Sequence, residues 1–499
     1  MSAIRRQSII SSIVIYLGFA VGMLNVYFFT KDGLFTPAQY GLTKIFMDIS
    51  VMIGALAGFS MPSFIFKFHP YYFYHLPPQK NDMVTWALLL SIIGFILVAT
   101  GGWVFKDLVI RKFGANSPEL VTYYNWVFPM GFGVVLFATL EAYGWAVHKS
   151  VFTNFLKEIL WRVIVLFLIL LFIIHIISGF DGFIKLYALA FPIIAFVLLF
   201  YLVFTNRIHF TLKTSKVTRR HFKKILAFCV FSYSGSIVFT LSQIFDSLVI
   251  AAVLEDGLSK AGIFGLAQIM TSIIQAPQRG IVAASIAHLA RAWKDKDIPT
   301  IQRIYERSSI NLLLFAVGIF ALIVLNYKDA ITTFGLRADY LAGFTAFIFL
   351  GLTKVVDLGT GVNPQIIATS NYWRFDLFSG ILLVIIMLPL TYILTKQYDI
   401  LGPAIASLIS ISIYNLIRIA FLWYKYKLQP FTSASLYTIL IAVFCFVVSY
   451  FAFINMEGMM ALILRSTLFM GLYGIIVIYF KLSPDIEPVW NTIRKRLTK

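Results

Sequence analysis

FIKLYALAFPIIAFVLLFYLVFT, residues 183–205, is followed at once by NRIHFTLKTSKVTRRHFKK, residues 206–224. The first stretch is apolar apart from Lys185 near its start. A helix needs about 20 such residues to cross the hydrocarbon core of a bilayer. The second stretch carries Arg207, Lys213, Lys216, Arg219, Arg220, Lys223 and Lys224, and belongs at a membrane surface. Apolar sequence resumes at 225–253, and the same alternation runs in both directions. Spans are expected at 8–29, 42–66, 84–105, 121–147, 156–178, 183–205, 225–253, 260–288, 308–327, 338–362, 375–396, 402–424, 434–454 and 459–480. The fold class is therefore all-α: a polytopic integral membrane protein with about 14 transmembrane helices.

Composition agrees. The 499 residues are 60% hydrophobic, 17% aromatic and 13% charged, with a mean hydropathy of +0.86, far from the balance of a soluble domain. The net charge of +19 raises the question of nucleic acid, and its placement answers it. Of 41 Lys and Arg, 26 fall in the gaps on the N-terminal side of the ladder, including Arg5, Arg6 and the tail Arg494, Lys495, Arg496 and Lys499. Nine fall in the opposite gaps. By the positive-inside rule both termini are cytoplasmic. The charge then faces anionic lipid headgroups of a cytoplasmic (inner) membrane, and no nucleic acid partner is implied. The first span is too long for a signal-peptide core and no small-residue cleavage site follows Phe29, so it is read as a retained helix. Cys229 and Cys445 both lie within spans, which leaves no disulfide or metal reading.

Outer connections are short: 179–182, 254–259, 397–401 and 455–458 are barely turns, and the longest is about 106–120. The basic connection 206–224 divides the chain into an N-terminal six-helix half (1–205), a cytoplasmic linker (206–224), a second six-helix half (225–424), and two extra helices with a cytoplasmic tail (425–499). An internal echo supports pseudo-symmetric halves. Tyr40-Gly41-Leu42 with Ile45 recurs as Phe264-Gly265-Leu266 with Ile269, each after an Asp-Gly turn, Asp32-Gly33 or Asp256-Gly257. Transporters built from two similar helical halves are common. Pro62, Pro129, Pro192, Pro277, Pro389 and Pro403 interrupt spans, as hinges or as static kinks.

Ionisable residues within spans are costly and face a cavity or a partner. The basic set is Arg162, Arg279, Lys354, Arg418 and Arg465. The first four fall in the cytoplasmic half, where they could converge as a receptor for an anion, a role suited to the planar guanidinium. Snorkelling toward the inner headgroups is the alternative, favoured for Arg418. The acids are Asp48, Glu141, Asp246 and Asp357. Asp357 is three residues beyond Lys354, the spacing of an intrahelical pair. Asp246 shares a helix face with Gln243, a polar stripe that would line a path or bind a coupling ion, or hydrogen-bond between helices. Asp48 and Glu141 are further candidate ion sites. The seven His show no ligand spacing, and the aromatic loop Phe68–His75 reads as an interfacial anchor. There is no phosphate-cradling glycine loop, nucleophile elbow or carboxylate pair in a soluble loop. The chain is not expected to be an enzyme or to carry a cofactor.

Three stretches resemble the polysaccharide and lipid-linked oligosaccharide (O-antigen type) flippases of the multidrug/oligosaccharidyl-lipid/polysaccharide exporter superfamily. They are Arg6-Gln7-Ser8-Ile9-Ile10-Ser11-Ser12 leading to Phe35-Thr36-Pro37-Ala38-Gln39-Tyr40-Gly41, the run from Asp357-Leu358-Gly359-Thr360-Gly361-Val362-Asn363-Pro364 to Asp376, and Gly402-Pro403-Ala404-Ile405-Ala406 opening the twelfth span. The last has Pro403 where that family usually has Ala. The resemblance implies translocation of an undecaprenyl-diphosphate-linked oligosaccharide from the inner to the outer leaflet, for surface polysaccharide or lipopolysaccharide biosynthesis. It also implies cationic residues in a central cavity, met here by Arg279 and Lys354 in depth alone, and glycan polymerases or glycosyltransferases as partners. A cation-coupled multidrug exporter of the same superfamily is the first alternative. A membrane glycan polymerase or ligase is the second; it would want a larger outer loop than 106–120.

Overall fold

The computed structural model describes residues 3–485, with side chains for all of these except 3–12, Ala283, Ala287 and Trp373. The Arg5 and Arg6 side chains, those of the Arg6–Ser12 stretch and the basic tail beyond 485 lie outside the described residues. Among the described residues thirteen helices are long and apolar enough to cross a membrane, so the chain is an all-helical, multi-pass membrane protein. Hydrocarbon supplies no partner for backbone N–H and C=O groups, and a helix satisfies them within one segment. By packing, the chain forms two units, 1–262 and 263–499.

Unit 1 begins with α1 (Ala3–Thr30) and α2 (Pro37–Ala57). Thr36 caps α2 in a reciprocal box: its hydroxyl accepts from the Gln39 backbone, and Gln39 Oε1 accepts from the Thr36 backbone. The span expected at 42–66 is broken. α2 stops at Gly58, Phe59 and Ser60 take positive φ, and α3 (Met61–His75) sets off anew. The Leu56 carbonyl at the end of α2 accepts from the Tyr233 hydroxyl at 2.8 Å. After α4 (Met83–Val104), the 106–120 connection folds as α5 (Lys106–Phe113) and α6 (Pro118–Thr122), before α7 (Val127–Ala146) and α8 (Ser150–Asn154). The stretch expected at 156–178 is divided: a π-helical turn, Phe155–Leu160, leads into the 13-residue α9 (Trp161–Ile173). Asn25 of α1 donates to the Arg162 carbonyl just beyond that turn.

α10 (Gly179–Phe204) contains Pro192. α11 (Lys216–Val253) starts well inside the expected basic connection, because Ser215 accepts from the Thr218 backbone as a cap. α12 (Gly257–Gln275) then crosses α2 at touching distance. A Cβ on Gly41 would lie 1.8 Å from the Leu258 carbonyl oxygen, and one on Gly262 would lie 2.2 Å from that of Pro37. Glycine alone permits this crossing.

Unit 2 takes up α12 from Ile263. The span expected at 260–288 breaks at Ala276-Pro277, and α13 (Gln278–Lys294) follows. α14 (Ile298–Thr333), capped by Asp297, makes the 289–307 connection a pair of helix ends. α15 (Phe344–Gly359) and the short α16 (Asn363–Thr369) are joined by a turn at Gly361, whose φ is +65°. α17 (Trp373–Tyr398) contains Pro389, and Pro403 sits in the first turn of α18 (Leu401–Tyr426). α19 (Ser433–Ala452) and α20 (Gly458–Tyr479) complete the unit.

Candidate functional site

The break between α12 and α13 falls at the end of the candidate span Gly257–Gln275, and α13 starts just beyond it. Proline lacks an N–H and cannot continue the α12 ladder. The Gln275 side chain donates to Gln278 Oε1 across the gap at 2.8 Å. Arg279 follows, the second residue of α13, and it is exposed. A helix N-terminus carries partial positive charge, so a guanidinium there adds to a field that attracts anions and has nothing local to neutralise it. Lys354, on α15, is half-buried. Among the described residues neither Arg279 nor Lys354 has an ion-pair partner.

The pair that spacing suggests for Lys354 and Asp357 is not formed. Asp357 Oδ1 instead accepts from Asn415 Nδ2 at 3.1 Å, and Asn415 Oδ1 accepts from Thr360 and Asn363 at 3.0 and 2.9 Å. Thr360 also accepts from Asn363. The Gly361 turn is locked from the other side, since Ser309 donates to the Gly359 carbonyl and Ser308 Oγ accepts from the Val362 backbone. Asn363 and Asn415 are buried. Sequence reasoning missed both; the signal available was Asn363-Pro364, an amide at the start of a helix after a Gly-Thr-Gly turn. Beside this network, a cavity of about 490 Å³ is lined by Leu313, Val355, Leu416, Ile419, Leu436 and Ile439, with Thr360 and Asn415 at its polar edge.

Arg418 is 1% exposed. Its guanidinium bonds the Asp376 carboxylate, Nε donates to Ser379 Oγ at 3.1 Å, and the plane lies 4.0 Å from the Tyr414 ring centroid. It neither snorkels nor faces an opening: it ties α18 to α17. Arg465 is likewise paired, with Asp329 of α14, and donates to the Phe453 and Met456 carbonyls at the end of α19, 2.8 Å each. Phe453 is the C-cap of α19 and Met456 lies in the turn before α20, so Arg465 pins that connection.

In unit 1, Arg162 pairs with Glu158 at 2.9 Å. Asp48 pairs with Lys44 at 3.4 Å, and Glu141 with Lys157 at 3.1 Å. Asp246 is buried while Gln243, on the same stripe, is exposed. Asp82, also unremarkable in sequence, is buried and holds the start of α11: its Oδ2 accepts from the Ser215 backbone at 2.9 Å and from Thr218 at 2.8 Å. No group of three or more His, Cys, Asp or Glu suited to a metal occurs among the described residues. Of the four expected anion-binding cations, two are thus committed to carboxylates, and Arg279 and Lys354 keep their charge unspent.

No protein-family model matches the sequence, and no curated protein does. Solved structures do. The fold is similar to the lipid II flippase MurJ in an inward closed conformation, with 14% identity, a TM-score of 0.76, and coverage of 95% of this chain and 99% of that one. It is similar to an inward-facing multidrug resistance MATE family transporter of the MOP superfamily, at 14% identity and TM-score 0.65, covering 84% of this chain and 98% of the other. A MOP superfamily transporter from Pyrococcus furiosus, described as having a binding pocket of reverse polarity, matches at 16% identity and TM-score 0.56, with 89% and 96% covered. The chain therefore has the fold of MOP superfamily transporters.

Proposed function

We propose that the protein is a flippase that carries an undecaprenyl-diphosphate-linked oligosaccharide from the inner to the outer leaflet of the cytoplasmic membrane, for assembly of a surface polysaccharide or lipopolysaccharide. The observation that carries this reading is Arg279: an exposed guanidinium at the start of α13, just beyond the candidate membrane span Gly257–Gln275. A diphosphate cannot enter hydrocarbon without its hydration. An Arg placed on the positive end of a helix offers it charge-assisted donors instead, and Lys354 supplies a second cation. The apolar cavity between α15, α18 and α19 suits a lipid chain that stays in the membrane while the headgroup moves. With the cell interior negative, outward movement of each negative charge is favoured by about 2.3 kcal/mol per 100 mV.

The comparisons support the flippase over the multidrug exporter in one respect. The MATE transporter leaves 16% of this chain uncovered, about the length of 425–499, whereas the lipid II flippase leaves 5%. The exporter remains the second reading because its fold matches over the rest.

Depletion of the protein is expected to strip surface glycan and to accumulate the lipid-linked precursor inside. Arg279→Ala, at normal protein level, should slow export about 10- to 100-fold, the equivalent of one or two charged hydrogen bonds. A depleted strain that keeps its surface glycan, or whose precursor pool is unchanged, overturns the reading. Efflux of cationic dyes from reconstituted vesicles would replace it with the exporter.

A further inference from the structure

A polar cavity lies in unit 1, on the side that the charge pattern assigns to the cytoplasm. It has a volume of about 320 Å³, at the small end of ligand pockets, and His69, Asn81, Tyr143, Asn206, Arg207 and His209 contribute to its wall. Its wall brings together one guanidinium, two imidazoles and two side-chain amides, and no carboxylate lines it. We propose that this cavity is a binding site for a phosphate monoester, held by Arg207, His69 and His209.

Four observations carry the assignment. First, the segment bearing Arg207 and His209 is fixed before any ligand arrives. The Tyr143 hydroxyl donates to the Arg207 carbonyl at 2.6 Å, the Arg207 and Ile208 amides donate to the Leu202 carbonyl, and the Thr211 amide donates to Thr85 Oγ1. Second, Ile208 is buried at 4% exposure while Arg207 beside it is exposed, so the guanidinium is delivered to the rim by an anchored neighbour. Third, the nearby acids are spoken for. Asp82 binds Ser215 and Thr218, and Glu141 binds Lys157. Fourth, His69 sits among aromatic rings, 5.9 Å from Tyr143 and 5.7 Å from Phe73 between centroids. Burial, and then the charge of His148, hold it below the ordinary histidine range. An anion placed beside a histidine favours its charged form and offsets that effect. A phosphate dianion, with oxygens for a forked guanidinium and two imidazole N–H donors, meets that need.

The ligand chemistry has two sources, a monophosphate lipid headgroup and a soluble phosphate monoester, and the experiment separates them. Full-length protein in phosphatidylcholine nanodiscs is titrated with phenyl phosphate, followed by ³¹P line broadening. Saturable binding is expected, weakened at least about tenfold by Arg207→Ala with His209→Gln, with the melting temperature kept. Lys213→Ala with Lys216→Ala, on the neighbouring link, should leave it intact. Phosphatidic acid in the nanodisc that competes with phenyl phosphate identifies a lipid headgroup; binding unaffected by it identifies a soluble ligand. Binding that does not saturate, that survives loss of Arg207 and His209, or that falls equally with the link lysines overturns the proposal. His69→Gln, read in the same titration, gives an independent check should the double variant fold poorly. None of this depends on the flippase reading, since Arg207, His69 and His209 have no part in the site proposed for it.

Discussion

Arg465 and Arg418 show how a charge survives inside this protein. Each is less than a tenth exposed, and each meets a carboxylate far away in sequence, Asp329 and Asp376. Removing one member of such a pair leaves an uncompensated charge, which typically costs about 3–5 kcal/mol. Arg465→Met should therefore lower the melting temperature in detergent sharply, and adding Asp329→Leu should recover most of the loss. Recovery by less than half would mean that the carbonyls of Phe453 and Met456 matter more than the carboxylate. These partners were not legible in the sequence, because nothing local links residues 136 apart. The i,i+4 pairs Lys44–Asp48 and Glu158–Arg162 have a spacing that the sequence displays, yet the pair expected from spacing was Lys354–Asp357, which does not form. The distinction between a paired cation and one available to a ligand is a property of packing. Composition and depth placed Arg162, Arg279, Lys354 and Arg418 in one set; neighbours divide them.

At the scale of elements, the three stretches that resemble oligosaccharide flippases turn out to shape backbone in their described parts. Thr36 and Gln39 cap α2, Gly41 lets α12 approach it, Gly361 makes the turn between α15 and α16, and Gly402 brings α18 against α17, where a Cβ would lie 2.3 Å from the Leu394 carbonyl. Gly361→Ala meets both a positive φ and the Ser308 hydroxyl at 2.8 Å, and should cost about 1–3 kcal/mol in unfolding experiments. Gly262→Val should do worse, by parting α2 from α12, and is expected to reduce yield of folded protein in detergent gel filtration. Asp297 offers a pH test. Its hydrogen bonds to Thr300 hold the carboxyl below the ordinary aspartate range, so its contribution is complete above that range and is lost as pH falls through the lowered value. Asp297→Ala should raise hydrogen exchange at the start of α14 at neutral pH, while Asp297→Asn should do so much less. The starts of α2 and α11 were expected late, at 42 and 225, although the caps Thr36 and Ser215 are spelled out in the sequence. The left-handed turn at Phe59-Ser60 and the π turn at 155–160 were not legible, because apolar runs look alike whether or not the backbone bends within them.

For the whole molecule, apolar run length settled the fold class, since a chain in hydrocarbon has few architectures open to it. The proposed function is less visible, because recognising a charged headgroup would take a few charges in the right places and a bilayer tolerates few charges of any kind. The double-sided test is to replace Arg279 and Lys354 together. Export should fall more than in either single variant, with thermal stability within about 0.5 kcal/mol of the parent, as for surface substitutions in general. A large loss of stability would assign them to structure.

The Arg465 linkage also bears on how the chain enters its membrane. An Arg within a span costs about 2.5–3.5 kcal/mol to insert alone, so α20 is a poor candidate for independent partitioning from the translocon. Its counter-charge lies on α14, synthesised well before it. α20 is then expected to wait at the translocon until α14 is in place and to leave against it. Biogenesis would proceed by docking onto a prepared site, and Asp329→Ala should appear as α19–α20 mis-inserted in a fraction of newly made chains.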